Sequence, residues 1–319
     1  MSLFERKEGV NVRIENITPQ RAKELLSTNT ANRKLDTKAV NMIANAIKDG
    51  RFLTTNNGIG VDKNGVLTDG QHRLNAIIRA NTPANIAVFT GLEPKTRILI
   101  DTGKKRTLSN QLQICDLGFG TDDKGGKINL TPTISQAALY CVLHIKGYKN
   151  ISNAAMYSIS SDIITDFVSA NNEDLVNSAL FIKDELKNAK YLKQGIILYL
   201  YQMCKFVDEE KIIKFINILT GKALSEDPST CPAEKLKYTL MDNAIKSRGK
   251  LKTSEELSIC IDGCNKFMSD TKLGDKQKKL TYRTRKDGMV TLTIDKTKLS
   301  EKGIEFLNSV RVEEVIENA

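Results

Sequence analysis

The chain has 319 residues, enough for about two domains and a small third. Apolar residues make up 40% and charged residues 27%, a balance that supports a buried core and excludes collagen-like and fully disordered chains. No apolar run approaches the roughly 20 residues of a transmembrane helix, and Met1 to Glu8 contain no signal-peptide core, so a cytoplasmic protein without membrane contact is expected. Lys and Arg total 48 against 38 Asp and Glu, net +10. That excess suits an anionic partner without demanding one. Aromatics are 6% and Trp is absent, so a base-stacking platform has little material.

The first 115 residues mix strand and helix signals. Val12–Ile17 alternates like a short strand. Thr18-Pro19 starts a helix that should run to about Leu26. Asp36 can cap a second helix carrying Val40, Ile43, Ala44 and Ile47 on one face, and Gly50 suits its left-handed stop. Asn57–Val61 and Val66–Thr68 read as strands joined by the turn Asp62-Lys63-Asn64-Gly65. Asp69-Gly70 breaks the second strand, and Gln71–Ala80 reads as a helix burying Leu74, Ile77 and Ile78. Ile86–Thr90 is another strand, and Thr96–Ile100 is ambiguous between strand and helix. The glycine-rich stretch 116–130 reads as a linker and domain boundary.

From Pro132 to about Met268 apolar residues recur at spacings of three and four, as in helices packed on one another. The spacing predicts helices at Ile134–Ile145, Leu175–Leu186, Tyr191–Cys204, Glu209–Leu219, Ala233–Ile245 and Ser254–Phe267. Leu280–Thr284 and Met289–Ile294 then alternate like two strands of a hairpin, and Ser300 caps a final helix. From Lys272 to Lys298 nine Lys and Arg oppose three Asp, net +6. Lys276, Lys278, Lys279, Arg283, Arg285 and Lys286 are therefore candidates to lie on a nucleic-acid backbone, and a solvated basic hairpin fits equally well.

Six cysteines form no CxxC pair, and the chain has two histidines, so a zinc site is poorly supplied. Cys260 and Cys264, one helical turn apart, are expected as buried thiols, and all six cysteines as reduced. His144 lies on an apolar helix face and is expected to pack there. No Ser-His-Asp or Cys-His arrangement is readable.

The segment with most chemical content is Leu67-Thr68-Asp69-Gly70-Gln71-His72-Arg73-Leu74-Asn75-Ala76. A strand, a glycine turn and a helix start present unpaired main-chain donors at the positive end of a helix dipole, which can hold an anion. Gly70 allows close backbone approach. Gln71, His72 and Arg73 follow on the first turn, and Arg73 can grip two phosphate oxygens. Asp69 suits a magnesium ligand or a base, and His72 an acid-base role. Equally, Asp69 can serve only as a helix cap while Arg73 pairs with a carboxylate.

This box resembles the signature of the ParB/sulfiredoxin superfamily, in its DGQHR-type bacterial and phage branch. The resemblance includes Asn32-Arg33 before a helix, Gly91-Leu92, and Asp101-Thr102-Gly103-Lys104-Lys105-Arg106-Thr107. It continues weakly at Gly221, Leu224-Ser225 and Asp227-Pro228. The spacing and turn signals give, after the linker 116–130, a helical domain over 131–270 and a small basic hairpin with a C-terminal helix over 271–319. The resemblance adds a ParB/sulfiredoxin-like N-terminal domain over 1–115, for an α+β fold. It implies that Gly70, Gln71, His72 and Arg73, with Asn32, Arg33, Lys104, Lys105, Arg106 and Thr107, hold the phosphates of a nucleotide with Mg2+ on Asp69. Partners would be nucleotide, DNA or both. Sulfiredoxins carry a catalytic Cys where this chain has Gln71, which excludes that activity. No helix-turn-helix of the partition proteins is legible. Two alternatives stand beside nucleotide binding. One is a Mg-dependent nuclease or phosphotransferase using Asp69 and His72, and the other a non-catalytic DNA-binding regulator. Gly91-Leu92-Glu93-Pro94-Lys95-Thr96 is not a P-loop, because no glycine precedes the lysine.

Overall fold

A computed structural model describes residues 9–29, 35–94, 107–122, 124–148, 159–246, 250–274, 280 and 291–310. The architecture is mixed α+β, in two compact units that divide between Lys105 and Arg106.

In the first unit β1 (Asn11–Ile17), β2 (Ile59–Asp62), β3 (Leu67–Asp69) and β4 (Ala84–Leu92) form one sheet in the order β1-β4-β2-β3. β1 and β4 are antiparallel, β4 and β2 parallel, and β2 and β3 antiparallel. Helices α1 (Pro19–Ser27), α2 (Thr37–Lys48) and α3 (Gln71–Ala80) complete the unit. The local signals act as expected. The Thr18 hydroxyl accepts from Arg21 N–H at 3.1 Å, with Pro19 opening α1. Asp36 Oδ1 accepts from Lys38 N–H at 2.9 Å and starts α2. The buried Asp62 carboxylate takes the Asn64 and Val66 amides, both at 2.9 Å, and so closes the turn between β2 and β3. Ile17, Ile59, Leu67, Leu74, Ile77, Ile86 and Val88 meet in its core with Val40, Ala44 and Ile47 of α2.

The second unit opens with α4 (Leu108–Ile114) and a short antiparallel ladder, β5 (Phe119–Thr121) with β6 (Lys127–Asn129). The expected linker is therefore folded, and Leu130 is buried in the unit's core while Leu117 and Ile128 pack against it. Glycines that read as a flexible boundary instead serve tight turns. The boundary itself falls ten residues before the expected 115.

Helices α5 (Thr131–Ile145), α6 (Ser161–Ala170), α7 (Asn172–Glu185), α8 (Gln194–Thr220), α9 (Pro232–Ile245) and α10 (Thr253–Met268) follow. The two helices expected at 191–204 and 209–219 are present as the two arms of α8, on either side of a break. Asp208 leaves helical geometry (φ −158°, ψ 90°), and its carboxylate caps the following turn through Lys211 N–H at 2.9 Å.

A 3-10 turn (Lys296–Lys298) leads to α11 (Glu301–Asn308), capped by Ser300 as expected. Residues 291–295 form no strand. Asn265 of α10 instead clasps this extended segment, donating to Thr291 O and accepting from Thr293 N–H, both at 2.8 Å. Leu280, Leu292, Phe306 and Val310 join the helical core, so the described C-terminal residues belong to the helical unit. The other expected hairpin residues, 281–290, lie outside the described residues, as does Thr96–Ile100.

Candidate functional site at the start of α3

β3 ends at Asp69, Gly70 turns the chain with φ 102° and ψ 4°, and α3 begins at Gln71 with no side chain capping it. The turn requires glycine on two counts. Its φ lies in the left-handed region, and a Cβ at this position would sit 2.9 Å from Ile59 Cγ1 and 3.1 Å from Ile59 Cα. The bend thus brings the first turn of α3 tightly against β2.

Asp69 does not cap α3. Its Oδ1 accepts from Gly70 N–H at 2.6 Å and its Oδ2 from Arg73 Nη2 at 2.9 Å. The same Nη2 donates to the Gly58 carbonyl at 2.5 Å. Both protons of that nitrogen are therefore used, while Arg73 Nε is buried with no hydrogen-bond partner. The Arg73 side chain is 20% exposed and that of Asp69 37%. The guanidinium thus stands against a carboxylate and a carbonyl while keeping an exposed fringe.

The other residues of the box reach sideways. Gln71 is buried, and its Oε1 accepts from Asn29 Nδ2, beyond the end of α1, at 3.3 Å. The Gln71 carbonyl accepts from Asn75 Nδ2 at 2.7 Å. His72 Nε2 accepts from Asp36 N–H at 3.0 Å, at the start of α2. An accepting Nε2 carries no proton, so the neutral ring holds its proton on Nδ1. Amides of Ala39 and Lys38 hold the Asp36 carboxyl below the usual carboxylate range. Three successive side chains therefore tie α1, α2 and the approach to β2 to the first turn of α3.

Of the expected cradle, Asp69 and Arg73 meet across the Gly70 bend, while Gln71 and His72 turn away to Asn29 and Asp36. Thr107 lies in the second unit, where it forms a capping box with Asn110 at the start of α4. Its Oγ1 accepts from Asn110 N–H at 3.2 Å and donates to Asn110 Oδ1 at 2.8 Å. Asn32, Arg33, Lys104, Lys105, Arg106, Lys276, Lys278, Lys279, Arg283, Arg285 and Lys286 lie outside the described residues. Two features escaped the sequence: the Gly58 carbonyl as an acceptor for Arg73, and Thr68, whose buried Oγ1 has no partner. A backbone oxygen 15 residues away leaves no trace in a motif.

Among the described residues no group of three or more His, Cys, Asp or Glu could hold a metal ion. Cys141, Cys204, Cys231, Cys260 and Cys264 are buried and unbridged, and Cys115 is exposed. Burial drives the Cys141 and Cys260 thiols far above their ordinary range, which removes them as nucleophiles. His144 packs as expected, with Nδ1 3.2 Å from the Tyr199 hydroxyl, and burial pushes its pKa down to about 4. In the second unit a cavity of about 510 Å³ beside the α8 break includes Lys211, Lys214, Asp227 and Asp270. Its charges compensate one another, as in the Lys211–Asp270 pair at 2.6 Å. No protein-family model, curated protein or solved structure matches the chain.

Proposed function

We propose that the start of α3 holds the phosphate of a nucleotide or of a nucleic-acid backbone, within a ParB-like N-terminal domain that acts on or with DNA. The observation that carries this reading is the left-handed Gly70, which feeds a strand directly into a helix without a side-chain cap and sets Arg73 on its first turn. A phosphate competes with Asp69 for the guanidinium, since Arg matches phosphate in charge and in bidentate geometry. The displaced Asp69 carboxylate then suits a hard cation. One carboxylate is enough for Mg2+ when substrate phosphates supply further oxygens, so Asp69 is the protein ligand we assign to a magnesium ion arriving with nucleotide.

Calorimetric titration with each NTP and Mg2+ tests this reading. Binding to the wild type is expected, weakened at least about tenfold by Arg73→Ala, the scale of a charged hydrogen bond. Flat titrations with all four NTPs and with a DNA duplex reject it. Turnover of NTP or plasmid DNA would identify the enzymatic form. Affinity for DNA that needs no nucleotide and falls steeply with salt would identify the regulator.

A second reading has its own support. The ties from Gln71, His72 and Arg73 to Asn29, Asp36 and Gly58 make the box a clasp for three neighbouring elements. A pure clasp loses stability on Arg73→Ala but gains none from added NTP. A phosphate site is stabilised by its ligand, by about 2.7 kcal/mol at a hundredfold excess over Kd.

A further inference from the structure

β1 is the outermost strand of the first unit's sheet, and among the described residues no second strand pairs with it. Its seven-residue register with β4 is unbroken, from Asn11 opposite Thr90 to Ile17 opposite Ala84. Natural sheet edges are usually defended by proline, lysine, a bulge or a covering element. The sequence Asn-Val-Arg-Ile-Glu-Asn-Ile has no proline and no lysine, and the unbroken register leaves no bulge. It also carries β-branched residues that favour strands. Val10, Val12 and Ile14 alternate along one face and are 51%, 56% and 63% exposed. Their apolar surface is of the kind an added strand would cover.

The charges say which strand that is. Arg13 and Glu15 occupy the opposite face, where Glu15 accepts from Arg13 Nη2 at 2.8 Å and from Arg21 Nε at 3.0 Å. An antiparallel second copy with its twofold axis on Ile14 sets Arg13 of each strand opposite Glu15 of the other. It also sets Ile14 against Ile14, with Val12 on the diagonal. A twofold on Arg13 or on Glu15 opposes like charges, which is unfavourable in a cross-strand pair. A twofold between residues opposes apolar to charged side chains. A twofold on Val12 leaves both charges without a partner across the interface. We infer that β1 is a self-association edge, through which two copies of this chain join their sheets antiparallel about Ile14. The result is an isologous dimer with one continuous eight-stranded sheet. β3 and the Gly70 box lie at the far edges of that sheet, so this association stands or falls separately from phosphate binding.

Light scattering of the full chain across a dilution series is expected to show a doubling of mass. Arg13→Glu and Glu15→Lys are each expected to weaken the dimer about tenfold by setting like charges opposite one another. Mixing the two variants restores it, because each heterodimer regains both opposite-charge pairs. Unchanged circular-dichroism melts exclude unfolding as the cause, and the rescue on mixing excludes a merely local effect at Arg21. In a Cys115→Ser background, Ile14→Cys is expected to crosslink to itself on oxidation. A monomer at every concentration overturns the inference. So does a dimer that the charge variants leave intact, or one that crosslinks through Val12→Cys but not through Ile14→Cys.

Discussion

The buried core of the first unit is aliphatic and small-grained: five alanines stand among its isoleucines, leucines and valines, and among the described residues no ring is fully buried. The helical unit instead buries Tyr140, Tyr199, Phe167 and Phe215. Its rings meet edge-on or tilted, as in Tyr140–Tyr199 at 5.7 Å, Phe167–Phe306 at 5.2 Å and Phe215–Phe267 at 5.3 Å. The first unit adds directed polar ties, concentrated in the residues from Asp69 to Asn75. The helical unit is held by ring packing with a few buried polar ties of its own, such as Lys237–Glu234 at 2.7 Å, and its exposed ion pairs add little. A polar clasp and a packed core respond to different perturbations, and that difference can be tested.

Removing a ring should have the largest effect. Phe215→Ala is expected to cost the helical unit about 4 kcal/mol, the range for emptying a fully buried aromatic site. A urea unfolding free energy that falls by less than about 1 kcal/mol would deny that ring packing dominates there. Acid should come next. His144 has a folded pKa lowered by burial, with Lys296 adding to the effect, to about 4, against 6.5 when unfolded. Below pH 6.5 the unfolded chain therefore takes up a proton that the folded chain refuses. Stability falls between pH 6.5 and 4 by up to about 3 kcal/mol, and levels off below that. His144→Gln should flatten this slope in pH-dependent unfolding, and an unchanged slope would assign it to other groups.

In the first unit Gly70→Ala should cost about 2 kcal/mol, because it combines a left-handed φ with a methyl group pressed onto Ile59. Thermal melts of this variant against Gly50→Ala, whose Cβ would meet open space at a left-handed φ of 65°, give the cost of a left-handed φ without a clash. The smallest effect is expected from His72→Ala. It removes one acceptor from the Asp36 amide and should cost about 1 kcal/mol. Hydrogen exchange should then show faster opening at the start of α2 than at the start of α8. Uniform protection would mean that the clasp does not hold α2.

Much of the fold was legible because its causes are local. Thr18, Asp36 and Ser300 announce helix starts by their own side-chain chemistry, and each caps as expected. Gly70 announces its bend because only glycine suits that φ. Most helices of the second unit show themselves by apolar spacing, but α4 and α6 were not expected from it. The break in α8 was visible as two helices, but the turn at Asp208 that makes it was not. The stretch 116–130 misled because glycine marks a tight hairpin turn as readily as a linker, and only the burial of Leu130 decides between them. The box at Asp69–Arg73 was legible as a strand, a glycine and a basic helix start. Its partners Asn29, Asp36 and Gly58 were not, since they lie 15 to 42 residues away along the chain.

The sequence by itself determined where the capped helices begin, where the apolar faces of the helices it showed turn inward, and that residue 70 bends as only glycine can. Those properties follow from side-chain capping, from periodicity and from steric limits on φ, all of which act over a few neighbouring residues. Tertiary structure alone decided that Arg73 spends one nitrogen on Asp69 and Gly58, that His72 serves the start of α2, and that β1 stands at the edge of its sheet. Each of these depends on which distant backbone arrives beside the side chain, and chain folding in three dimensions settles that.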